Sequence, residues 1–191
     1  SDGVNSTDQD VAISVTNLNN NAPIITSDAT LSVTENQTAV VTVTATDADN
    51  DTISYSISGG ADSDLFRIDQ NTGALAFISA PDFENPADQG TDNVYDVTVS
   101  ASDGTSTTNQ NLSVTVTDVN DNAPLITSDA AVSVTENQTA AYTVTATDAD
   151  NDTLTYSLSG TDAALFNIDS TTGVVTFKTA PDFENPSDAG G

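Results

Sequence analysis

Tyr95-Asp96-Val97-Thr98-Val99-Ser100-Ala101 alternates large apolar or small side chains with polar ones at every second position. Successive side chains of a strand point to opposite faces, so Tyr95, Val97, Val99 and Ala101 are expected on a core and Asp96, Thr98 and Ser100 in water. The same period runs through Ile53, Tyr55 and Ile57, through Val41, Val43 and Ala45, and through Leu112, Val114 and Val116. The exposed partners are mostly Thr and Ser, and the β-branched Thr suits a pleated surface. Asp69-Gln70-Asn71-Thr72-Gly73 separates two such runs and reads as a hairpin turn, with Gly73 able to take φ > 0. No stretch of helical period is long enough for a helix. Strands are expected near residues 29–34, 39–46, 52–58, 65–68, 74–78, 93–102 and 109–117. Seven short alternating strands in about 100 residues predict an all-β fold, a seven-stranded antiparallel Greek-key β-sandwich of immunoglobulin-like type. Phe66, Phe77, Tyr95 and Tyr142 lie in the apolar phase and read as core.

The pattern is written nearly twice. Asn21-Ala22-Pro23-Ile24-Ile25-Thr26-Ser27-Asp28 recurs as Asn122-Ala123-Pro124-Leu125-Ile126-Thr127-Ser128-Asp129, an offset of 101. Pro81-Asp82-Phe83-Glu84-Asn85-Pro86 recurs as Pro181-Asp182-Phe183-Glu184-Asn185-Pro186, an offset of 100. A period this long fits a whole small domain rather than a solenoid unit. Residues 1–20 are expected to be the last strand and linker of a preceding repeat, because Ser1-Asp2-Gly3 matches Ser102-Asp103-Gly104. Residues 21–120 form a complete repeat. Residues 121–191 form a partial one that lacks the counterparts of the last two strands, so the final sandwich is truncated.

Composition narrows the function. The 191 residues carry 29 acidic and 2 basic side chains, a formal charge of −27, and no His or Cys. Thiolate or imidazole metal sites, Ser-His-Asp or Cys-His catalysis and disulfides are excluded. Arg67 and Lys178 are too few cations to neutralise a phosphate backbone, so no nucleic acid and no anionic membrane surface is expected as a partner. No apolar run reaches the roughly 18–20 residues of a membrane-spanning helix, so no membrane insertion is expected in this segment. The chain opens without a basic, apolar leader and reads as an internal piece of something longer.

The acidic residues fall in short motifs at turns and at the repeat boundary. Asp118-Val119-Asn120-Asp121-Asn122-Ala123-Pro124 links the repeats. Its Pro and Asn favour an extended connector with outward oxygens. Asp148-Ala149-Asp150 follows the second strand of the second repeat, Asp82-Phe83-Glu84 sits in a Pro-flanked loop, and Glu35 follows the first strand. Loops cluster at the ends of a sandwich. Domains stacked end to end are therefore expected to bring Glu35, Asp82, Glu84, Asp118, Asp121, Asp148 and Asp150 together, with Asn120 beside them. Two unit charges about 4 Å apart cost about 4 kcal/mol at an effective dielectric near 20. Such a group needs cations. Oxygen ligands without N or S select Ca²⁺, which takes roughly 6–8 oxygens in flexible geometry.

The linker Asp118-x-Asn120-Asp121-Asn122-Ala123-Pro124, the Asp-Ala-Asp turn, the hairpin Phe66-Arg67-Ile68-Asp69…Thr72-Gly73 and Tyr95-x-Val97-x-Val99-x-Ala101-Ser102-Asp103 together resemble cadherin repeats. Asp82-Phe83-Glu84 stands where cadherins have Asp-Arg-Glu. The near-identical repeats, the Thr/Asn/Asp bias and the absence of Cys resemble cadherin-like modules of large bacterial adhesins more than animal cadherins. The resemblance implies about three Ca²⁺ ions at the 118–124 junction. The first uses Glu35, Asp82, Glu84 and Asp121. The second uses Glu35, Glu84, Asp118, Asp121, Asp150 and the carbonyl of Val119. The third uses Asn120, Asp148, Asp150 and the carbonyl of Asn122, with a carboxylate from the missing strand pair. At the 17–23 junction Asn17 and Asn20 replace Asp118 and Asp121, so partial occupancy is expected there, through Asn19, Asn21, Asp47, Asp49 and Asp103. Glu136, Asp182 and Glu184 point to a further junction beyond Gly191.

Blander readings exist for each motif. The Asp-Ala-Asp-Asn-Asp runs lack the Gly and Glu that an EF-hand loop needs at its sixth and twelfth positions, where Thr52 and Ser58 stand. A solvated Asp/Asn turn accounts for one run but not for the register with the linker. Acidic adaptation to salt explains the number of charges but not their spacing. Asp28, Asp62, Asp64, Asp88 and Asp129 belong to no motif and read as surface charge. The Asn-x-Thr matches at Asn36 and Asn50 are expected by chance in so Asn/Thr-rich a chain. Asp82 and Glu84 as an acid/base pair for glycoside cleavage are outweighed by their linker context, and no enzyme activity is expected.

The expected function is a calcium-rigidified extracellular structural or adhesive spacer of a bacterial surface or matrix protein, its partners the neighbouring repeats of the same chain. Two alternatives stand beside it. One is an adhesion module binding its own kind or a polysaccharide. The other is a subunit of a self-assembling extracellular filament, in which residues 9–16, a lone strand with Val11, Ile13 and Val15, complete another copy by strand exchange.

Overall fold

A computed structural model describes residues 3–5 and 8–188. Ser1, Asp2 and the final Ala189-Gly190-Gly191 of the expected repeat boundaries lie outside the described residues. The chain divides into two compact units, Ser1–Thr117 and Asp118–Gly191.

In the first unit the alternating stretch quoted above becomes β8 (Val94–Ser102), paired antiparallel over its whole length with β9 (Thr107–Thr117), Val94 opposite Thr115 and Ser102 opposite Thr107. β8 also pairs with β5 (Ser54–Gly59), Tyr55 opposite Ala101. β2 (Thr30–Thr34) adds to the other side of β9, Leu31 opposite Val114 and Val33 opposite Val116. This last pairing is parallel, which alternation alone cannot reveal, because a reversed strand presents the same side chains to the core. The sheet order is β2-β9-β8-β5. A second sheet, β3-β7-β6, joins β3 (Ala39–Thr42), β7 (Ala74–Phe77) and β6 (Phe66–Ile68).

The single strand expected over 39–46 is broken. Its first half is β3; its second half, β4 (Ala45–Thr46), pairs instead with β1 (Ile24–Ile25). Val43 sits at the switch, fully buried, and donates its N–H to the Gly73 carbonyl at 2.8 Å. Gly73 has φ 73°, and a Cβ there would run into the Val43 carbonyl oxygen, so this close approach requires glycine. The expected hairpin turn is present, with Asp69 accepting N–H bonds from Asn71 and Thr72 at 3.0 and 2.8 Å.

The core lies between the two larger sheets. Tyr95, Val97, Val99 and Ala101 from β8, Leu112, Val114 and Val116 from β9, and Phe66, Leu75 and Phe77 from the opposite sheet are all buried. Phe66 and Phe77 stack at 4.5 Å between ring centroids, and Tyr95 meets them edge-on at 6.4 and 5.1 Å. The β-sandwich expectation is met, with one correction to the alternation: Ser100, expected in water, is 4% exposed and donates its hydroxyl to Asn109 Oδ1 at 2.6 Å.

The second unit repeats part of this plan. β10 (Leu125–Ile126) pairs with β12 (Ala146–Thr147), and β11 (Ala140–Thr143), β14 (Val174–Phe177) and β13 (Phe166–Ile168) form a three-stranded sheet. Phe166 and Phe177 keep the aromatic contact at 4.7 Å. Residues 131–135 and 155–160, which match β2 and β5, form no strand. In the first unit those strands pair with β9 and β8, and the described part of the second unit holds no counterpart of either. The same physics corrects the lone strand expected at 9–16. These residues form no strand and Val11, Ile13 and Val15 are exposed, although Leu112, Val114 and Val116 at the matching positions are buried. A strand needs a neighbour to satisfy its backbone.

A second correction concerns two carboxylates. Asp62 and Asp88 are not surface charge: they are 5% and 3% exposed. Asp62 accepts N–H bonds from Gln89 and Asp96 at 2.7 and 2.8 Å, and Asp88 accepts from Asp92 and Asn93, each at 3.1 Å. Isolated carboxylates can be buried when backbone donors replace water.

Candidate metal centre

Three strand ends and one loop deliver carboxylates to the first unit. Glu35 follows β2 and is 3% exposed. Its Oε2 accepts the Phe83 N–H at 2.9 Å, and the Asn36 N–H binds the Pro81 carbonyl at 3.0 Å. These bonds draw the Pro81–Glu84 loop onto the end of β2. Glu35, Asp82 and Glu84 each then place a carboxylate oxygen within 4.8 Å of the others. Asp82 also accepts the Asn85 N–H at 3.1 Å.

A second cluster forms around the Asp-Ala-Asp turn after β4. Asp47, Asp49 and Asp51 bring carboxylate oxygens within 4.8 Å of one another. The turn is closed by the Asp49 N–H on Asp47 Oδ1 at 2.8 Å, with Asn50 at φ 61°. The 17–21 segment docks on it: the Asn20 and Asn21 N–H groups donate to Asp49 Oδ2 at 2.8 and 2.7 Å, and Asn21 Nδ2 donates to Asp49 Oδ1 at 2.8 Å. These donors, the backbone of Asn20 first, hold the Asp49 carboxyl below its ordinary range. Asn19 Nδ2 reaches the Asp103 carbonyl at 3.2 Å. Asp103 Oδ1 closes its own turn by accepting from Ser106 and Thr105 at 2.6 and 2.7 Å, which lowers its pKa.

Four oxygens in this second region are buried and have no hydrogen-bond partner: Asn19 Oδ1, Asp47 Oδ2, Asp51 Oδ2 and Asp103 Oδ2. Burial, followed by the charges of Asp47, Asp49 and Asp103, raises the pKa of Asp51. Orphaned acceptors of one kind, without a donor, are what a hard cation would satisfy. Asp51 was not among the residues singled out in the sequence. Its signal was present, four residues after Asp47 in a run of alternating Asp.

The second unit repeats both arrangements. Asp148, Asp150 and Asp152 form a cluster within 4.8 Å. The Asp121 and Asn122 N–H groups donate to Asp150 Oδ2 at 3.1 and 2.8 Å, Asn122 Nδ2 donates to Asp150 Oδ1 at 2.8 Å, and Asn120 Nδ2 donates to Asp152 Oδ2. Glu136, Asp182 and Glu184 form another, with the Phe183 N–H on Glu136 Oε2 at 2.9 Å. Asp118 and Val119 are exposed at the start of the unit. Neither basic side chain neutralises these groups by position: Arg67 is exposed on β6, and Lys178 donates to the Ala164 carbonyl at 2.7 Å. No helix among the described residues is long and apolar enough to cross a membrane.

Comparison with known proteins bears on what these units are. Residues 29–117 match the Cadherin domain family. Over 189 residues, 91% of the chain, the sequence is 36% identical to the Fat-like cadherin-related tumor suppressor homolog of Drosophila melanogaster. Over 158 residues it is 39% identical to human Protocadherin Fat 4. The chain spans 4% and 3% of the lengths of these two relatives. Human protocadherin-24 EC1-2 superposes with a TM-score of 0.70 at 25% identity, covering 87% of this chain and 81% of that one. Mouse cadherin-23 EC22-24 gives 0.65 at 29% identity, covering 88% and 57%. The all-β sandwich, the family match over residues 29–117 and the relatives support reading this chain as cadherin-like repeats.

Proposed function

We propose that the chain is part of a calcium-rigidified extracellular spacer with a structural and adhesive role, belonging to a surface or matrix protein of bacterial type. It comprises the tail of one repeat (1–20), a complete repeat (21–120) and part of the next (121–191), and it carries out no catalysis. The observation that carries the reading is the clustering of carboxylates inside each unit without a basic side chain, together with the orphaned oxygens of Asn19, Asp47, Asp51 and Asp103.

Ca²⁺ supplies the missing charge compensation. In this proposal about three ions are held at the 118–124 junction. Glu35, Asp82 and Glu84 contribute from one repeat, Asp118, Asn120 and Asp121 with the carbonyls of Val119 and Asn122 from the linker, and Asp148 and Asp150 from the next. The 17–23 junction, with Asn17 and Asn20 in place of Asp, holds fewer, through Asn19, Asn21, Asp47, Asp49 and Asp103. Glu136, Asp182 and Glu184 serve the junction that follows. The cadherin relatives support this reading. Near-identical repeats with Thr, Asn and Asp bias and no Cys support the bacterial type.

Extracellular modules bind Ca²⁺ with Kd of about 10⁻⁴–10⁻³ M. The sites then fill outside the cell and empty within it. At ten to a hundred times Kd, one site adds roughly 1.4–2.7 kcal/mol to stability. Thermal unfolding of the full chain in Ca²⁺ and in excess chelator tests the proposal. A midpoint higher in Ca²⁺ by roughly 6–20 °C is expected, from about 4–8 °C per kcal/mol in a domain of this size. Coincident midpoints contradict it.

A further inference from the structure

The Pro81–Glu84 loop carries two of the three carboxylates of the first cluster, and something must fix their aim. The peptide groups on both sides of Phe83 are tied. Ahead of it, the Phe83 N–H binds Glu35 Oε2 at 2.9 Å. Behind it, the Phe83 carbonyl accepts Asn93 Nδ2 at 2.9 Å. A peptide group is planar, so these two bonds set the orientation of the units that lead from Asp82 into Phe83 and from Phe83 into Glu84.

Asn93 is itself held from three sides. It is 8% exposed and adopts φ 62°, which Asn tolerates better than most residues. Its N–H donates to Asp88 Oδ1 at 3.1 Å, and its carbonyl accepts the Val116 N–H from β9 at 2.8 Å. Asp88, 3% exposed, is anchored by the Asp92 N–H as well. The chain of contacts therefore runs from the β8–β9 hairpin through Asn93 to the main chain between Asp82 and Glu84. In the second unit the matching Phe183 N–H keeps its bond to Glu136, but the described residues hold no counterpart of Asn93, and Phe183 is exposed where Phe83 packs on the core.

We infer that Asn93 is a positioning residue for cation binding by Glu35, Asp82 and Glu84, with Asp88 as the anchor that holds Asn93 in place. The inference rests on the calcium reading above. Outer partners of metal ligands are typically worth about 10–100-fold in affinity, and Asn93 acts one step further out, through the main chain that carries the ligands.

The test is a site-resolved Ca²⁺ titration of the ¹⁵N-labelled full chain by NMR. The Phe83 amide reports the first cluster, and the Ser106 amide, bonded to Asp103, reports the second. The variant is Asn93→Gly, which keeps the positive φ and removes only the side-chain donor. The Kd read at Phe83 is expected to rise about tenfold while that read at Ser106 stays in place. An unchanged Kd at Phe83 overturns the inference, and so does an equal rise at both amides, which marks a general loss of structure. If the wild-type Phe83 amide does not respond to Ca²⁺ at all, the calcium reading fails first and the inference falls with it. Should Asn93→Gly disturb the β8–β9 amides before any Ca²⁺ is added, Asn93→Ser, too short to reach the Phe83 carbonyl, is titrated with the same criteria.

Discussion

Replacing Asp62 by Ala tests whether a chain of net charge −27 uses some of its acids as buried structural anchors. Asp62 is 5% exposed and its two oxygens accept the Gln89 and Asp96 N–H groups at 2.7 and 2.8 Å. Truncation leaves two part-buried N–H donors without their acceptors. Each such donor costs about 1–3 kcal/mol, so the pair is worth roughly 2–6 kcal/mol. Removing any carboxylate from so acidic a chain also relieves repulsion, which would mask part of the loss. Asp64→Ala controls for this, because Asp64 lies two residues away and is exposed. The assay is urea unfolding followed by NMR intensities of the β8 and β9 amides, which isolates the first unit. Asp62→Ala is expected to fall below Asp64→Ala by about 2–6 kcal/mol, with Asp62→Asn between them, since the amide oxygen can still accept one of the two bonds. If the two alanine variants agree within about 0.5 kcal/mol, the usual range for surface changes, the anchoring argument is wrong.

Tyr95→Ala removes the ring that meets Phe66 and Phe77 edge-on, and the first unit should lose about 3–5 kcal/mol in the same assay; Tyr95→Phe, which deletes only the acceptor of the Ala87 N–H, should lose about 1 kcal/mol. Asp69 and Asp169 have carboxyls held below the ordinary 3.8, by the backbone of Thr72 and Thr172 first. A lowered folded pKa stabilises above the unfolded value and is lost as pH falls through the folded one, so carboxyl ¹³C titrations should place both groups below 3.8, with the two turns loosening only under still more acid conditions.

Much of this was legible in the residues. Period 2 at Tyr95–Ala101 and Leu112–Val116 marked the apolar side chains that face the core, because pleat geometry leaves little choice, but it did not show that Ser100, on the other face, is buried as well. Strand direction and sheet membership were not legible. The parallel pairing of β2 with β9, and the switch at Val43 between two sheets, depend on which backbone lies alongside, and side-chain polarity does not encode that. The site shows the same division. Glu35, Asp82 and Glu84, and the Asp47 and Asp148 turns, stood out by motif and do cluster within their units. Asp51, Asp62, Asp88 and Asn93 did not, because their roles come from burial and from backbone donors contributed by distant loops. An acid in a polar stretch looks the same whether it faces water or a ring of N–H groups.

Small-angle scattering of the full chain in Ca²⁺ and in excess chelator, for wild type and Asp121→Ala, puts the calcium-rigidified spacer to its plainest test. The account predicts that Ca²⁺ lengthens the maximum dimension of the wild type and narrows its spread, that chelator reverses both, and that Asp121→Ala weakens the response. An identical maximum dimension with and without Ca²⁺ would contradict it.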